Sequence, residues 1–91
     1  MSDYTNLIQA TIEELRAVKL YTSYAEQSED PTVKAVFLDV AHEERVHAGE
    51  FLSLLMKIDP SIEDDLIKGK WEVVQNESKR TDKNIDTPSS D

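Results

Sequence analysis

At 91 residues, with 38% apolar side chains and a formal charge of −9, the chain can build one small domain with a modest core, and association with further copies would add to that core. The acidity argues against nucleic acid, whose phosphates require a basic surface, and suits cations, although most of the 19 carboxylates need no role beyond solvation. The absence of cysteine excludes disulfides, thiolate zinc sites and thiol catalysis, leaving Asp, Glu and His as ligands, a set that suits harder metals such as iron and manganese.

From the N-terminus onward there is no signal-peptide pattern and no apolar run long enough to span a bilayer, so a soluble, cytoplasmic protein with no membrane partner is expected. Helical periodicity covers residues 4–27, where Leu7, Thr11, Leu15, Val18, Tyr21 and Ala25 share a side and Ile8 and Ile12 widen it. Ser2, Asp3 or Thr5 can cap its start. Glu14 lies in the apolar stripe between Leu7, Val18 and Tyr21, whereas Glu13 and Arg16 lie on the other side. Glu14 is therefore a carboxylate aimed at the core.

The SEDP segment at residues 28–31 breaks the helix, with Asp30 as N-cap of the next one and Pro31 at its first position, where the missing N–H costs nothing. So short a connection predicts an antiparallel hairpin. The second helix runs from Pro31 to about Lys57. On it Val33, Val36, Phe37, Val40, Phe51, Leu54, Leu55 and Ile58 fall in an arc about 100° wide. Glu44 and His47, spaced i, i+3, fall inside that arc, with Glu43 at its edge and His42 and Arg45 opposite. An unpaired charge there costs several kcal/mol, so something must compensate it. A lone histidine on an apolar face is usually a hydrogen-bonded core residue. A core-facing glutamate one turn before it makes the pair E-x-x-H, a di-iron ligand pattern when facing helices present it. The string HEERVH is not the zinc-protease H-E-x-x-H, because His42 and His47 are five apart and roughly 140° around the helix from each other.

Glu14 stands about as far before the turn as Glu44 and His47 stand after it, so at 1.5 Å per residue the three share one level of the hairpin. Asp59 and Pro60 repeat the Asp-Pro device, and Ser61 with Asp64 resembles a capping box. A short third helix is predicted over residues 62 to about 74, with Gly69 as a weak point and Leu66, Trp71 and Val74 as apolar contacts. Trp71 reads as a packing or interface anchor. Beyond Gln75 the polar composition predicts a disordered tail or linker. Residues 1–75 thus form the helical domain and residues 76–91 the tail.

One inward Glu and one inward E-x-x-H are half of a ferritin-type site, which takes a Glu from each of two helices and a Glu-x-x-His from each of two more. The expected fold is all-α: an antiparallel two-helix hairpin plus a short C-terminal helix, dimerising into a ferritin-like four-helix bundle with the metals between the chains. Three readings fit these residues: an enzyme working at that metal centre, a non-catalytic iron or zinc buffer, and a structural hairpin that dimerises around a buried Glu–His pair.

EELRAVKLY (residues 13–21), SEDP with the following VKAVFLDVA, and HEERVHAGEFLSLL together resemble the encapsulated ferritin family, the short ferritin-like proteins of encapsulin nanocompartments. The resemblance runs without gaps over residues 12–60 and continues more weakly through DLIKGKWEVV. It implies a ferroxidase that oxidises Fe(II) to Fe(III) at a di-iron centre between two chains. Glu14, Glu44 and His47 would be its ligands, and Tyr21 would lie close to the centre. Calcium or zinc can take the place of iron. The resemblance further implies an annular decamer of five dimers, a cytoplasmic location inside an encapsulin nanocompartment, and an encapsulin shell protein as the partner that receives oxidised iron. Two departures stand out. Arg16 occupies a position where members carry a further acidic residue beside the metal-entry site, which counts against an entry site built on Glu13, and Glu13 and Glu43 stand as secondary or entry-site candidates. Bacterial members end in a shell-targeting peptide that TPSSD does not match, and archaeal relatives carry the domain fused to the shell protein, so an excised domain and a free-standing one both fit. A rubrerythrin-type peroxidase has no cysteine here for a rubredoxin-like iron.

Overall fold

The boundaries of the first two helices are set by short polar segments rather than by glycine. The structure, a computed structural model, describes residues 2–86, and the side chains of residues 2–80. Within it α1 spans Asp3–Gln27, α2 Pro31–Ile58 and α3 Pro60–Asp86. Ser2 caps α1: its backbone is extended and its hydroxyl accepts from the Thr5 N–H at 3.2 Å, satisfying one of the donors a helix start leaves open. At the other end the Ser28 hydroxyl donates to the Tyr24 carbonyl at 2.7 Å and its N–H to the Ala25 carbonyl at 3.2 Å. Two residues later the Asp30 carboxylate accepts from the Val33 N–H at 3.0 Å, and Pro31 opens α2. The first and second helices are therefore joined by only three residues, 28–30, and fold back on each other.

The pairing is antiparallel. Tyr24 meets Phe37 near the loop, Glu14 meets His47 midway, and Leu7 and Ile58 line one groove at the open end. Among the described residues the buried part of the seam is Ala25 from α1 and Ala41, Ala48 and Leu55 from α2. Ala41, Ala48 and Leu55 are seven apart, the spacing that keeps one row of a helix against a neighbour, and alanines let the backbones approach closely. Leu55 is 4% exposed and is the one large side chain among these four. Leu55→Ala is expected to cost about 2–5 kcal/mol, the usual range for a buried leucine, read as a lower urea midpoint at unchanged slope.

The chain divides between Asp59 and Pro60 into two compact units, α1 with α2 and α3 by itself. Three features differ from the sequence-based expectation. First, α3 is not short: it extends through residues 76–86, where a disordered tail was expected, while residues 87–91 lie outside the described residues. That stretch, mostly Asn, Asp, Glu, Lys and Arg, has no Gly or Pro, so it propagates a helix already begun; low hydrophobicity alone suggested disorder. Gly69, the expected weak point, lies inside the continuous helix. Second, α3 starts at Pro60, so Ser61 falls in its first turn rather than at its N-cap. Third, Leu66, Trp71 and Val74, expected as apolar contacts, are exposed. No described helix is long and apolar enough to cross a membrane.

Candidate metal centre

Midway along the hairpin, α1 brings Glu14 and α2 brings Glu44 and His47 to one place. Each of the three offers a ligand atom within 4.8 Å of the others. His47 Nδ1 lies 2.9 Å from Glu44 Oε1, a hydrogen bond within one helical turn, and 3.8 Å from Glu14 Oε1 across the helix interface. The i, i+3 spacing stacks Glu44 and His47 on one face of α2. The equal distances from the turn carry Glu14 to the same level.

The site is not sealed. The side chains of Glu14 and Glu44 are 20% and 22% exposed and that of His47 is 48% exposed. Among the described residues no polar or charged side chain is buried, so the expected charge in a closed core is instead a cluster on the flank of the hairpin, half covered. Within one chain the pair compensates itself: Glu44 orients the imidazole, and a metal would meet the three groups from the open side.

The electrostatics follow from two carboxylates and an imidazole held together. Hydrogen bonding with the Glu44 carboxylate raises the Glu14 carboxyl above its usual value, with partial burial and the Glu44 charge adding to the effect and His47 opposing it. Glu44 is lowered, because Glu14 and His47 both hydrogen-bond its charged form. The two carboxylates thus titrate as a pair rather than independently. His47 is raised above 6.5, chiefly by its hydrogen bond to Glu44 and then by the charges of Glu14, Glu44 and Glu50, against partial burial. Metal binding requires both carboxylates to be ionised and His47 to be neutral. Because the folded pKa values of Glu14 and His47 are both raised, protons compete with the metal from a higher pH than they would at ordinary residues. Affinity is expected to fall as pH drops through a window that begins above 6.5, the ordinary His47 value. An isothermal titration with Mn(II) at a series of pH values, reading the protons released, checks this.

The other residues singled out by the sequence lie outside the cluster. Glu13 faces away, where its carboxylate accepts from Gln9 Nε2 at 2.7 Å and from Arg16 Nη1 at 3.2 and 3.3 Å, all three residues being exposed. Glu43 is exposed on α2, as are His42 and Arg45. Tyr21, half-buried, follows Glu14 by seven residues and Phe37 precedes Glu44 by seven, two turns each, about 10 Å along the axis. Their rings stack with centroids 6.1 Å apart, and Tyr24 closes a trio at 6.0 Å from Tyr21 and 5.3 Å from Phe37. Sequence reading missed Tyr24; its i, i+3 spacing from Tyr21 was the available signal.

Comparison with known proteins bears on what this cluster holds. The rubrerythrin family profile matches residues 5–87. A ferritin-like-encapsulin shell fusion protein of Pyrococcus furiosus is 40% identical over 86 residues, a match covering 85% of this chain and 25% of that protein. The chain therefore spans about a quarter of the length of this curated relative. No solved structure matches significantly.

Proposed function

The chain belongs to the rubrerythrin family of ferritin-like proteins, and we propose that it is a ferroxidase whose di-iron centre is completed by two copies of the chain. The observation that carries this reading is the convergence of Glu14, Glu44 and His47. One chain supplies two carboxylates and one imidazole. Two chains supply four and two, the full inventory of a ferritin-type centre.

The donor set fits the substrate. Oxygen and imidazole donors accept ferrous iron, and hard carboxylates favour the ferric product, which lowers the cost of removing the electron. The carboxylate charge offsets that of the ions, and the ions in turn offset the repulsion between Glu14 and Glu44. With dioxygen as acceptor the reaction balances as two ferrous ions and two protons giving two ferric ions and one hydrogen peroxide, or four ferrous ions and four protons giving four ferric ions and two waters. Iron binds His47 in its neutral form and the two carboxylates in their ionised forms, so any proton on these groups leaves as iron binds. Tyr21 stands two turns away in the aromatic trio as a nearby redox-active side chain.

The two-copy centre is also supported by what one chain leaves uncovered: Val33, Val36, Leu54 and Ile58 on α2, among others, remain exposed. We take an annular decamer of such dimers as the assembly. The P. furiosus relative is a fusion of a ferritin-like part with an encapsulin shell protein. On that basis the shell protein is the partner we assign, the cytoplasmic interior of its compartment the location, and delivery of oxidised iron for storage the role. The test is aerobic Fe(II) oxidation followed by ferric absorbance: faster than a protein-free blank supports the enzyme, and a rate equal to the blank reduces the chain to a metal-binding or structural module.

A further inference from the structure

Two of the chain's three tyrosines stand together on the loop side of the metal centre. Tyr21 is half-buried and lies two turns from Glu14, about 10 Å along α1. Tyr24 meets it edge to face with ring centroids 6.0 Å apart, and Phe37 fills the third corner of the trio. Tyr24 is 41% exposed. The pair therefore leads from the neighbourhood of the ligands to water, one ring covered and the next open. Tyr4 is the contrasting case. It is 37% exposed, stands ten residues before Glu14 and lies outside the trio. Packing in the trio needs only rings, which phenylalanine supplies as well as tyrosine, as Phe37 does. A phenol adds a polar O–H, and with it the capacity to give up one electron and one proton.

We propose that Tyr21 and Tyr24 form a relay that carries an oxidising equivalent from the metal centre to the surface, with Tyr24 as its outer end. The inference rests on the ferroxidase reading above and extends it to the hydrogen peroxide that the two-iron reaction produces. A ferrous ion that meets peroxide singly passes on one electron only. One ferrous ion, one peroxide and one proton then give one ferric ion, one water and one hydroxyl radical. Left at the centre, that radical attacks the nearest side chains, His47 among them. An electron drawn from Tyr21 turns it into hydroxide, which takes up the phenolic proton through the solvent to become water, and a tyrosyl radical is left. An electron from Tyr24 and a proton from water restore Tyr21. Tyr24, being exposed, releases its own phenolic proton to water, so the radical comes to rest there. A one-electron reductant in solution, such as a thiol, can reach it and return the phenol.

A nitroso spin trap, which bonds covalently to tyrosyl radicals, locates the radical by peptide mass spectrometry without reading ferroxidase activity. The protein is loaded anaerobically with Fe(II) and mixed with hydrogen peroxide and the trap. In the wild type the adduct is expected on Tyr24 severalfold above Tyr4, although the two are similarly exposed. Tyr21→Phe, which keeps the ring contacts, should lower the Tyr24 adduct severalfold while Tyr24 itself is still present. Tyr24→Phe should form ferric iron at the wild-type initial rate and accumulate oxidised His47 over repeated additions of peroxide. Equal adducts on Tyr4 and Tyr24 in the wild type mean attack from solution and overturn the relay. So does a Tyr24 adduct undiminished in Tyr21→Phe protein whose circular dichroism matches the wild type. Either result leaves the ferroxidase standing. Wild-type protein that oxidises Fe(II) under air no faster than the blank overturns instead the reading on which the relay rests.

Discussion

Glu44→Ala is expected to bring aerobic Fe(II) oxidation down to the rate of the protein-free blank. Glu44 is the residue through which the cluster is connected: it hydrogen-bonds His47 at 2.9 Å, and its charge beside Glu14 raises the Glu14 carboxyl. Its removal takes two of four carboxylates from a centre built by two chains and leaves both imidazoles without the partner that orients them, a contact whose loss alone typically costs 10–100-fold in metal affinity or activity. The loss should come without unfolding, because in the metal-free chain Glu44 is partly exposed and adds a second negative charge beside Glu14, so the pair contributes little to stability. Circular dichroism of the variant should match the wild type. Glu13→Ala supplies the contrast. Glu13 is engaged by Gln9 and Arg16 on the exposed side of α1, and its substitution is expected to leave the rate within about twofold, as surface changes outside a site usually do. A Glu13→Ala variant as inactive as Glu44→Ala would move the working site away from the Glu14–Glu44–His47 cluster.

Association of the chain is expected to depend on metal. Ligands divided between two chains hold an ion fully only when the chains are together, so the ion stabilises the assembled state by mass action. At a free metal concentration about 100-fold above its dissociation constant, one site adds about 2.7 kcal/mol, roughly a hundredfold in the dimer dissociation constant. Sedimentation velocity under anaerobic conditions should show the wild type shifting to larger species when Fe(II) is added. His47→Ala should not shift. An unchanged distribution for the wild type would mean that one chain binds the metal by itself or that no metal binds.

Much of the hairpin was legible because its signals are local. The Asp30-Pro31 pair specifies a helix start on its own, whatever the rest of the chain does. The equal spacing of Glu14 and Glu44 from the turn is arithmetic that any antiparallel hairpin obeys, and it is why a carboxylate on one helix could be matched to an E-x-x-H on the other. What was not legible depends on non-local coverage. The apolar arc of α2 is wide enough for two contacts, and periodicity could not tell that Ala41, Ala48 and Leu55 face α1 while Val33, Leu54 and Ile58 stay uncovered in one chain. For the same reason His47, read as core-facing, proves half-exposed. The extension of α3 to Asp86 was missed because polarity was read as disorder, although a helix already nucleated at Pro60 extends through polar residues without needing an apolar side of its own.

Native mass spectrometry of the protein titrated anaerobically with Fe(II) tests the shared centre most directly. The expected spectrum carries iron on even-numbered assemblies, at about two ions per pair of chains as in a ferritin-type site, with the remaining monomer free of iron and the Glu44→Ala protein free of iron throughout. Iron-loaded monomer persisting at every concentration, with no excess on the dimer, would contradict a centre built from two chains.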